Sequence, residues 1–306
     1  MNIINVCEVG PRDGLQSIDR MMPLKAKQAW IKAEFEAGVK EIEVGSFVSP
    51  KMLPQMSETT EVVKFAKTLE GLEICVLVPN LKGAEMAIEA GVHKIGLPLS
   101  VSEEHSIRNL NRNHQKVLSE IQSIASLIKT LPIDKRPYFE VGLSTAFGCS
   151  IAGPIDLSIV IELGEAALTA GADELGLADT TGFANPRDIK ERVRALRSAV
   201  GANKLQTLHL HNTRGLGLAN ALAGIEEGIT SLDSSLCGLG GCPTAPGASG
   251  NIVTEDLVYM LEAMGLKTGI NIDQLVKVKN ILSEALPGEP LYGFIGNAGI
   301  PKGQII

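Results

Sequence analysis

Two histidines, His209 and His211, stand one residue apart in an apolar run whose pattern predicts a β-strand. Side chains two positions apart on a strand point to the same face, so both imidazoles could bind one metal ion. The pair alone fits two hydrogen-bonded core histidines at least as well. Asp13 and Asn251 would reach the same point if the first, seventh and eighth strands were neighbours. Such a mixed nitrogen and oxygen set suits Mg²⁺, Mn²⁺ or Co²⁺, with Zn²⁺ also possible.

Two further charged residues could act beside that metal site. Arg12 adjoins Asp13 and could form a plain ion pair, or bind a carbonyl oxygen that gains negative charge. Glu43 lies inside an apolar strand pattern, where a carboxylate needs Arg12, a water or the metal site as a partner. Asp179 and Thr180 end another predicted strand and could either cap the next helix or support the site.

The segment Gly238–Asn251 contains five glycines, two prolines and Cys242. Its composition is typical of a surface linker. However, a strand pattern precedes it and a helix pattern follows it, and loops of this length between packed elements are more often functional. Cys242 is therefore the candidate for proton transfer, because a thiol beside cations can serve as an acid or base. The alternative is a small buried apolar side chain.

The elements that would position these residues alternate between strand and helix along the chain. Four Gly residues, each between a helix pattern and a strand pattern, mark repeated junctions at Gly38, Gly91, Gly171 and Gly228. The strands are expected at Ile3–Val9, Glu41–Gly45, Leu72–Val78, His93–Leu97, Arg136–Leu143, Glu174–Ala178, Lys204–His211 and Thr230–Leu236. The helices are expected at Leu24–Glu36, Glu58–Leu69, Lys82–Glu89, Ser102–Lys129, Asp156–Thr169, Pro186–Val200, Leu216–Glu226 and Ile252–Met264.

Eight strand–helix units predict an α/β protein with a closed (β/α)₈ TIM barrel, whose active site lies at the carboxyl ends of the strands. An open doubly wound sheet is disfavoured because Gly10-Pro11-Arg12-Asp13-Gly14 is not a dinucleotide-binding turn. Residues 1–286 are expected to form the barrel with an extra C-terminal helix, Ile272–Leu286. Residues 287–306 form a Pro/Gly-rich tail that is too short for a separate domain.

Composition narrows the classes of protein. The chain has 306 residues and a net charge of −7, and it has no long basic run, which argues against nucleic-acid binding. No apolar run reaches the roughly 18 residues that a membrane span needs, and no leader pattern opens the sequence. A cytoplasmic protein is expected. Its five widely spaced cysteines are expected to be free thiols.

At these residues the chain resembles the 3-hydroxy-3-methylglutaryl-CoA lyase family. The matching pieces are Glu8–Gln16, Ser46–Lys51, Pro79–Gly83, Asp179-Thr180, His209-x-His211, Gly238–Asn251 and Thr254–Leu261. The resemblance covers about residues 3–285. The long cysteine-containing loop is its most specific part, whereas related barrel aldolases share only the Arg-Asp and His-x-His parts.

The resemblance implies a metal-dependent retro-Claisen cleavage of an acyl-CoA, giving acetyl-CoA and, from the namesake substrate, acetoacetate. The metal ligands would be Asp13, His209, His211 and Asn251, and the ion would bind the substrate's hydroxyl and free carboxylate. Arg12 would stabilise the enolate and Cys242 would transfer the proton, with Glu43 and Asp13 as further catalytic residues. Coenzyme A enters as part of the substrate, and the family implies a homodimer. The candidate cofactor-binding residues are Gln16, Asn80, Thr180 and Arg214.

Three departures from the family pattern bear on the substrate. Asn212 and Arg214 replace an acidic and an aromatic residue after the seventh strand, Pro287-Gly288-Glu289 replaces basic residues, and the tail lacks an extra cysteine. A lyase for citramalyl-CoA or a longer-branched hydroxyglutaryl-CoA is thus an alternative. A condensing enzyme would need a regulatory domain, for which the tail leaves no room. A non-catalytic CoA- or metal-binding barrel is the alternative from another class.

Overall fold

The computed structural model describes residues 3–240 and 250–303. Eight parallel strands close into a barrel in chain order, with β1 paired to both β2 and β8. The expected (β/α)₈ TIM barrel is confirmed. The strands are β1 (Asn5–Glu8), β2 (Glu41–Ser46), β3 (Glu73–Leu77), β4 (Lys94–Ser100), β5 (Tyr138–Ser144), β6 (Glu174–Asp179), β7 (Leu205–Leu210) and β8 (Ser231–Ser234).

The helices surround the barrel, and apolar side chains fill the layer between them and the outer face of the sheet. Ile95, Leu97, Val141 and Leu143, which alternate along β4 and β5, are almost wholly buried in this layer. The helices are α1 (Leu24–Ala37), α2 (Thr59–Ala66), α3 (Leu81–Ala90), α4 (Glu103–Leu110), α5 (His114–Thr130), α6 (Leu157–Ala170), α7 (Pro186–Val200), α8 (Gly217–Glu226), α9 (Thr254–Ala263), α10 (Ile272–Ala285) and α11 (Ile295–Ala298).

The four glycine junctions all have positive φ angles, from 75° at Gly91 to 113° at Gly171, as expected for left-handed residues that end helices. Gly38 shows why no side chain is tolerated there. A Cβ atom at this position would lie 2.4 Å from the backbone oxygen of Gly269. The junction between α1 and β2 therefore depends on glycine for both conformation and space.

The single helix expected at Ser102–Lys129 is wrong. The chain forms α4 and α5 instead, because Asn111 adopts a left-handed conformation with φ 53° at the end of α4. The side chain of Asn113 then accepts a hydrogen bond from Lys116 N and begins α5. Strand β4 is also longer than expected and continues through Pro98 to Ser100.

The C-terminal tail is joined to the barrel by backbone hydrogen bonds in its described part. Asp256 at the start of α9 accepts hydrogen bonds from Phe294 N at 2.9 Å and Ile295 N at 2.8 Å. Tyr292 N donates to Cys237 O at 2.8 Å, which joins the tail to the segment that follows β8. None of the described helices has the length and apolar character that crossing a membrane would require.

Candidate active site

Four side chains expected to bind a metal come together at the carboxyl end of the barrel. His209 and His211 lie at the end of β7, and their Nε2 atoms are 3.2 Å apart. Asp13 Oδ2 is 3.9 Å from each of these nitrogens. Asn251 Nδ2 donates to the same Asp13 oxygen at 2.7 Å. The structure thus joins residues from both ends of the chain, because β1 and β7 both border β8.

Unpartnered buried atoms show that this cluster fits a cation. Ligand atoms of Asp13, His209 and His211 lie within 4.8 Å of one another. Asn251 is fully buried, yet its Oδ1 has no hydrogen-bond partner among the described residues. A buried carbonyl oxygen without a donor is unfavourable. Two imidazoles, a carboxylate and an amide oxygen are a suitable donor set for a divalent ion.

The charges in the cluster also favour cation binding. Burial opposes the ionisation of Asp13, but Arg12 and the two histidines hold the pKa of its carboxyl well below its usual range. Burial and the adjacent His209 lower the pKa of His211 to about 4, so its imidazole is neutral at pH 7. The site therefore offers an ionised carboxylate and an uncharged imidazole, the forms that bind metals.

Arg12 and Asp13 belong to a single π-helical turn, Gly10–Gly14, that follows β1. Arg12 Nε donates to Glu43 Oε2 at 2.5 Å, and Arg12 also pairs with Asp13 Oδ1. These carboxylates outweigh the effect of burial and raise the pKa of Arg12, which stays positively charged. Gln16 Nε2 donates to Asp13 Oδ1 at 2.9 Å. The expected partnership of Glu43 with Arg12 is present, and Gln16 orients Asp13.

Asp233 on β8 is a residue of the site that the sequence analysis missed. His209 Nδ1 is 3.0 Å from Asp233 Oδ2, because His209 and Asp233 are paired in the register of β7 and β8. The hydrogen bond to Asp233 and the charge of Asp13 raise the pKa of His209 despite its burial. A carboxyl in an apolar strand, the signal that indicated Glu43, was equally present at Asp233.

The remaining candidates have local structural partners in the described part of the chain. Asn80 caps α3 by accepting from Gly83 N, and Thr180 Oγ1 accepts from Thr145 N at 2.8 Å. Arg214 donates to the carbonyl oxygens of Thr181 and Gly182, and its guanidinium lies 5.0 Å from the centre of the Phe183 ring. Cys242, the proton-transfer candidate, lies outside the described residues.

Asp179 binds the turn after β6 rather than the first turn of a helix. Its carboxylate accepts from Phe183 N at 2.8 Å and Ala184 N at 3.1 Å, whereas Asn185 caps α7. Burial raises the pKa of Asp179 to about 6 although both backbone donors favour the charged form. Its carboxyl fixes the loop that carries Thr181 and Gly182, the two residues that bind Arg214.

A closed parallel barrel with an Asp–His–His cluster at the carboxyl ends of its strands defines a (β/α)₈ enzyme with a candidate metal centre. The family model described as HMGL-like matches residues 3–282. The chain belongs to the HMGL-like family, as the resemblance of its motifs had indicated.

Relatives and solved structures agree with this assignment. The chain is 38% identical to the hydroxymethylglutaryl-CoA lyase YngG of Bacillus subtilis, over 94% of each protein. It is also 38% identical to the human mitochondrial hydroxymethylglutaryl-CoA lyase, over 92% of this chain and 86% of the relative. An HMG-CoA lyase from Acinetobacter baumannii, solved with coenzyme A and 3-methylmalate, superposes with a TM-score of 0.91 at 38% identity, covering 99% of this chain and 97% of the other.

Proposed function

We propose that this protein cleaves 3-hydroxy-3-methylglutaryl-CoA into acetyl-CoA and acetoacetate with the aid of a divalent metal ion. The observation that supports this most is the convergence of Asp13, His209, His211 and Asn251 beside Arg12 at one end of the barrel. Asp13 supplies an ionised carboxylate and His211 a neutral imidazole. His209 adds a second ring nitrogen, and Asn251 adds an amide oxygen that has no hydrogen-bond partner among the described residues. Mg²⁺ or Mn²⁺ is the proposed ion, with Co²⁺ or Zn²⁺ as alternatives.

The bound ion would polarise the substrate's tertiary hydroxyl and carboxylate, which favours loss of the hydroxyl proton. Asp13 is the candidate base. Arg12 and Gln16 bind its Oδ1, whereas its Oδ2 accepts from Asn251 and faces the histidines. Loss of the proton leaves an alkoxide at C3, which becomes a ketone as the C2–C3 bond breaks. The electron pair of the C2–C3 bond passes to C2 and forms the enolate of the thioester.

Arg12 would stabilise that enolate, and the fixing of its positive charge between Asp13 and Glu43 at the rim supports this role. Glu43 keeps the guanidinium in this orientation. Cys242 would then protonate C2 of the enolate, which completes acetyl-CoA. Gln16, Asn80, Thr180 and Arg214 remain proposed cofactor-binding residues, and a cytoplasmic homodimer remains the expected form of the protein.

Assay of the metal-loaded protein and its Cys242→Ala variant tests this function. We expect the wild type to release acetyl-CoA and acetoacetate in equal amounts. The kcat of the variant should be lower than that of the wild type by a factor of about 10²–10⁴. Metal content, measured by mass spectrometry, should be unchanged in the variant. Cys75→Ala, which removes a buried thiol from the other end of the barrel, is the control for loss of a cysteine.

Two results would contradict the proposal. Full turnover by Cys242→Ala would remove the thiol from the mechanism. Binding of metal and CoA without cleavage of this ester or of citramalyl-CoA would favour a non-catalytic barrel.

A further inference from the structure

The inner wall of the barrel along β4 and β5 is built of unusually small or polar residues. Thr207 Oγ1 on β7 lies 3.5 Å from Glu140 Oε2 on β5, so both side chains point into the barrel. By alternation Gly142 and Ser144 face inward as well. Lys94 on β4 binds Glu140 at 2.7 Å and therefore also points inward. Alternation along β4 then puts Gly96 and Pro98 on the same inner side. A TIM barrel interior is usually packed with bulky branched residues, which this wall lacks.

Open space lies next to this wall. Among the described residues, a Cβ atom added at Gly142 would meet no atom within 4 Å, and one at Gly96 would meet its nearest neighbour, Glu43 Oε1, at 3.8 Å. Gly96, Pro98, Gly142 and Ser144 are all partly accessible, whereas the residues between them are buried. We call the space beside these four residues the β4–β5 hollow. The hollow does not continue to β6, because a Cβ at Gly176 on that strand would lie 2.6 Å from Glu140 Oε1.

The hollow adjoins the proposed catalytic residues. Glu43 borders both, with Oε2 bound to Arg12 and Oε1 facing Gly96. Ser144, at the top of the hollow, ends β5 as His209 and His211 end β7, so both groups of residues lie at the carboxyl end of the barrel. A group attached to a carbon held between Arg12 and the histidines can therefore extend into this space.

The surroundings of the hollow favour an uncharged group. Glycine backbone and the Pro98 ring line its side, and Ser144 and Ser100 bond each other through their hydroxyls at 3.0 Å. Below it, the single ammonium of Lys94 already contacts the carboxylates of Glu41 and Glu140. Because Glu43 adds a further carboxylate at the edge of the hollow, an anionic substituent in the hollow would be repelled.

We propose that the β4–β5 hollow receives the substituent on C3 of the substrate, so that this protein accepts 3-hydroxyglutaryl-CoA esters with an uncharged C3 chain longer than methyl. The inference rests on the proposed function, because it assumes cleavage at the same site. The hollow, rather than the metal ligands, then sets the largest branch that the enzyme accepts.

Cleavage of three esters, with methyl, ethyl or propyl at C3, tests the inference in wild type and in Gly142→Leu. Gly142 has no positive φ, so a side chain there is not strained by the backbone. We expect the wild-type kcat/KM for the propyl ester to lie within about tenfold of that for the methyl ester. The leucine should fill the hollow and reduce the propyl value at least about tenfold, with the methyl value changed less than about threefold.

Controls separate steric filling from general damage. Gly296→Leu, on an exposed face of α11, should leave all three values unchanged. If Gly142→Leu does not fold, Gly142→Ala should still reduce the propyl value more than the methyl value. Far-ultraviolet circular dichroism and metal content report on folding in each variant.

Two outcomes overturn the inference while the lyase function stands. One is a wild type that cleaves the methyl ester but neither of the longer esters. The other is an equal loss on all three esters in a folded Gly142 variant. Absence of cleavage of every ester by the metal-loaded wild type would instead contradict the proposed function itself.

Discussion

Asp233 adjoins the candidate metal cluster through its contact with His209. Its hydrogen bond to His209 Nδ1 fixes the proton on that nitrogen and leaves Nε2 directed at Asp13 and His211. Partners of this kind orient metal-binding imidazoles and raise their basicity. Asp233 also adds negative charge near Arg12 and Glu43. It thus couples the metal ligands to the guanidinium.

We expect Asp233→Asn to weaken metal affinity by about 10–100-fold. An amide of the same shape no longer supplies the negative charge that holds the Nδ1 proton. Competition of the apoprotein with a chromogenic chelator measures the affinity without an activity assay. Asp134→Asn, at an exposed position in a surface turn, is the matched control. Equal affinities in the two variants would remove Asp233 from the site.

The clustering of the proposed metal ligands could be predicted from the sequence because strand periodicity and strand ends decide their positions. Asp13, His209 and His211 each lie at the carboxyl end of a predicted strand. Asp233 carried the same signal as Glu43, a carboxyl in an apolar strand, but its bond to His209 depends on the pairing of β7 with β8, which strand positions alone do not reveal. The use of Asn80 as a helix cap likewise depends on the direction of one side chain.

The glycine junctions between helices and strands differ in how closely the chain surrounds them. A Cβ at Gly38 would meet a backbone oxygen at 2.4 Å, whereas one at Gly91 would meet the flexible end of Lys67 at 2.5 Å. Both residues have positive φ angles, 107° and 75°. The two positions therefore separate conformational strain from a clash with fixed backbone.

Gly91→Ala should destabilise the protein by about 1 kcal/mol, the usual energy of placing a side chain in the left-handed region. Gly38→Ala should be worse by roughly 1–3 kcal/mol, because α1 or the Gly269 segment must also move. Midpoints of urea unfolding, compared at equal slopes, give both values. Equal losses would show that the contact with Gly269 relaxes freely.

The order and type of nearly all elements could be predicted because apolar runs alternate so regularly with helical patterns. The break between α4 and α5 could not, since it depends on Asn111 leaving the helical region and on Asn113 capping the next helix. Asparagine is compatible with a helix interior as well as with its ends, so the sequence pattern did not require a break.

Two buried carboxyls, Glu8 and Glu34, lie below the rim, and Glu8 joins β1 to segments that follow β8. Glu8 at the end of β1 accepts from Gly10 N and Leu236 N, and from the hydroxyl of Thr254. Burial raises the pKa of Glu8 to about 7. Glu34 on α1 is fully buried, and burial together with Glu8 raises its pKa well above the usual range.

These carboxyls should make the whole molecule less stable as the pH rises. In the unfolded chain both lose their protons near pH 4.5, whereas the folded protein retains them to higher pH. The folded state therefore binds more protons, and the free energy of unfolding falls between about pH 4.5 and pH 7 and, for Glu34, beyond.

Glu34→Gln should reduce this dependence, because the amide has no proton to lose. We expect the variant to exceed the wild type by on the order of 2 kcal/mol at pH 8 and by much less at pH 5. Urea unfolding at the two pH values measures the difference. Glu36→Gln, an exposed position on the same helix, is the control. Parallel pH profiles for wild type and Glu34→Gln would exclude the effect.

The contact between Asn251 and Asp13 has a consequence for how the enzyme matures. These residues are 238 positions apart in sequence, yet both belong to one candidate metal centre. During synthesis the ribosome releases Asp13 early, and Asn251 emerges only after all eight strands. A nascent or truncated chain that lacks its last fifth would therefore hold its metal poorly and remain inactive. Metal loading would then mark a completed molecule, and chains that bind it would be protected from proteases that degrade unfinished ones.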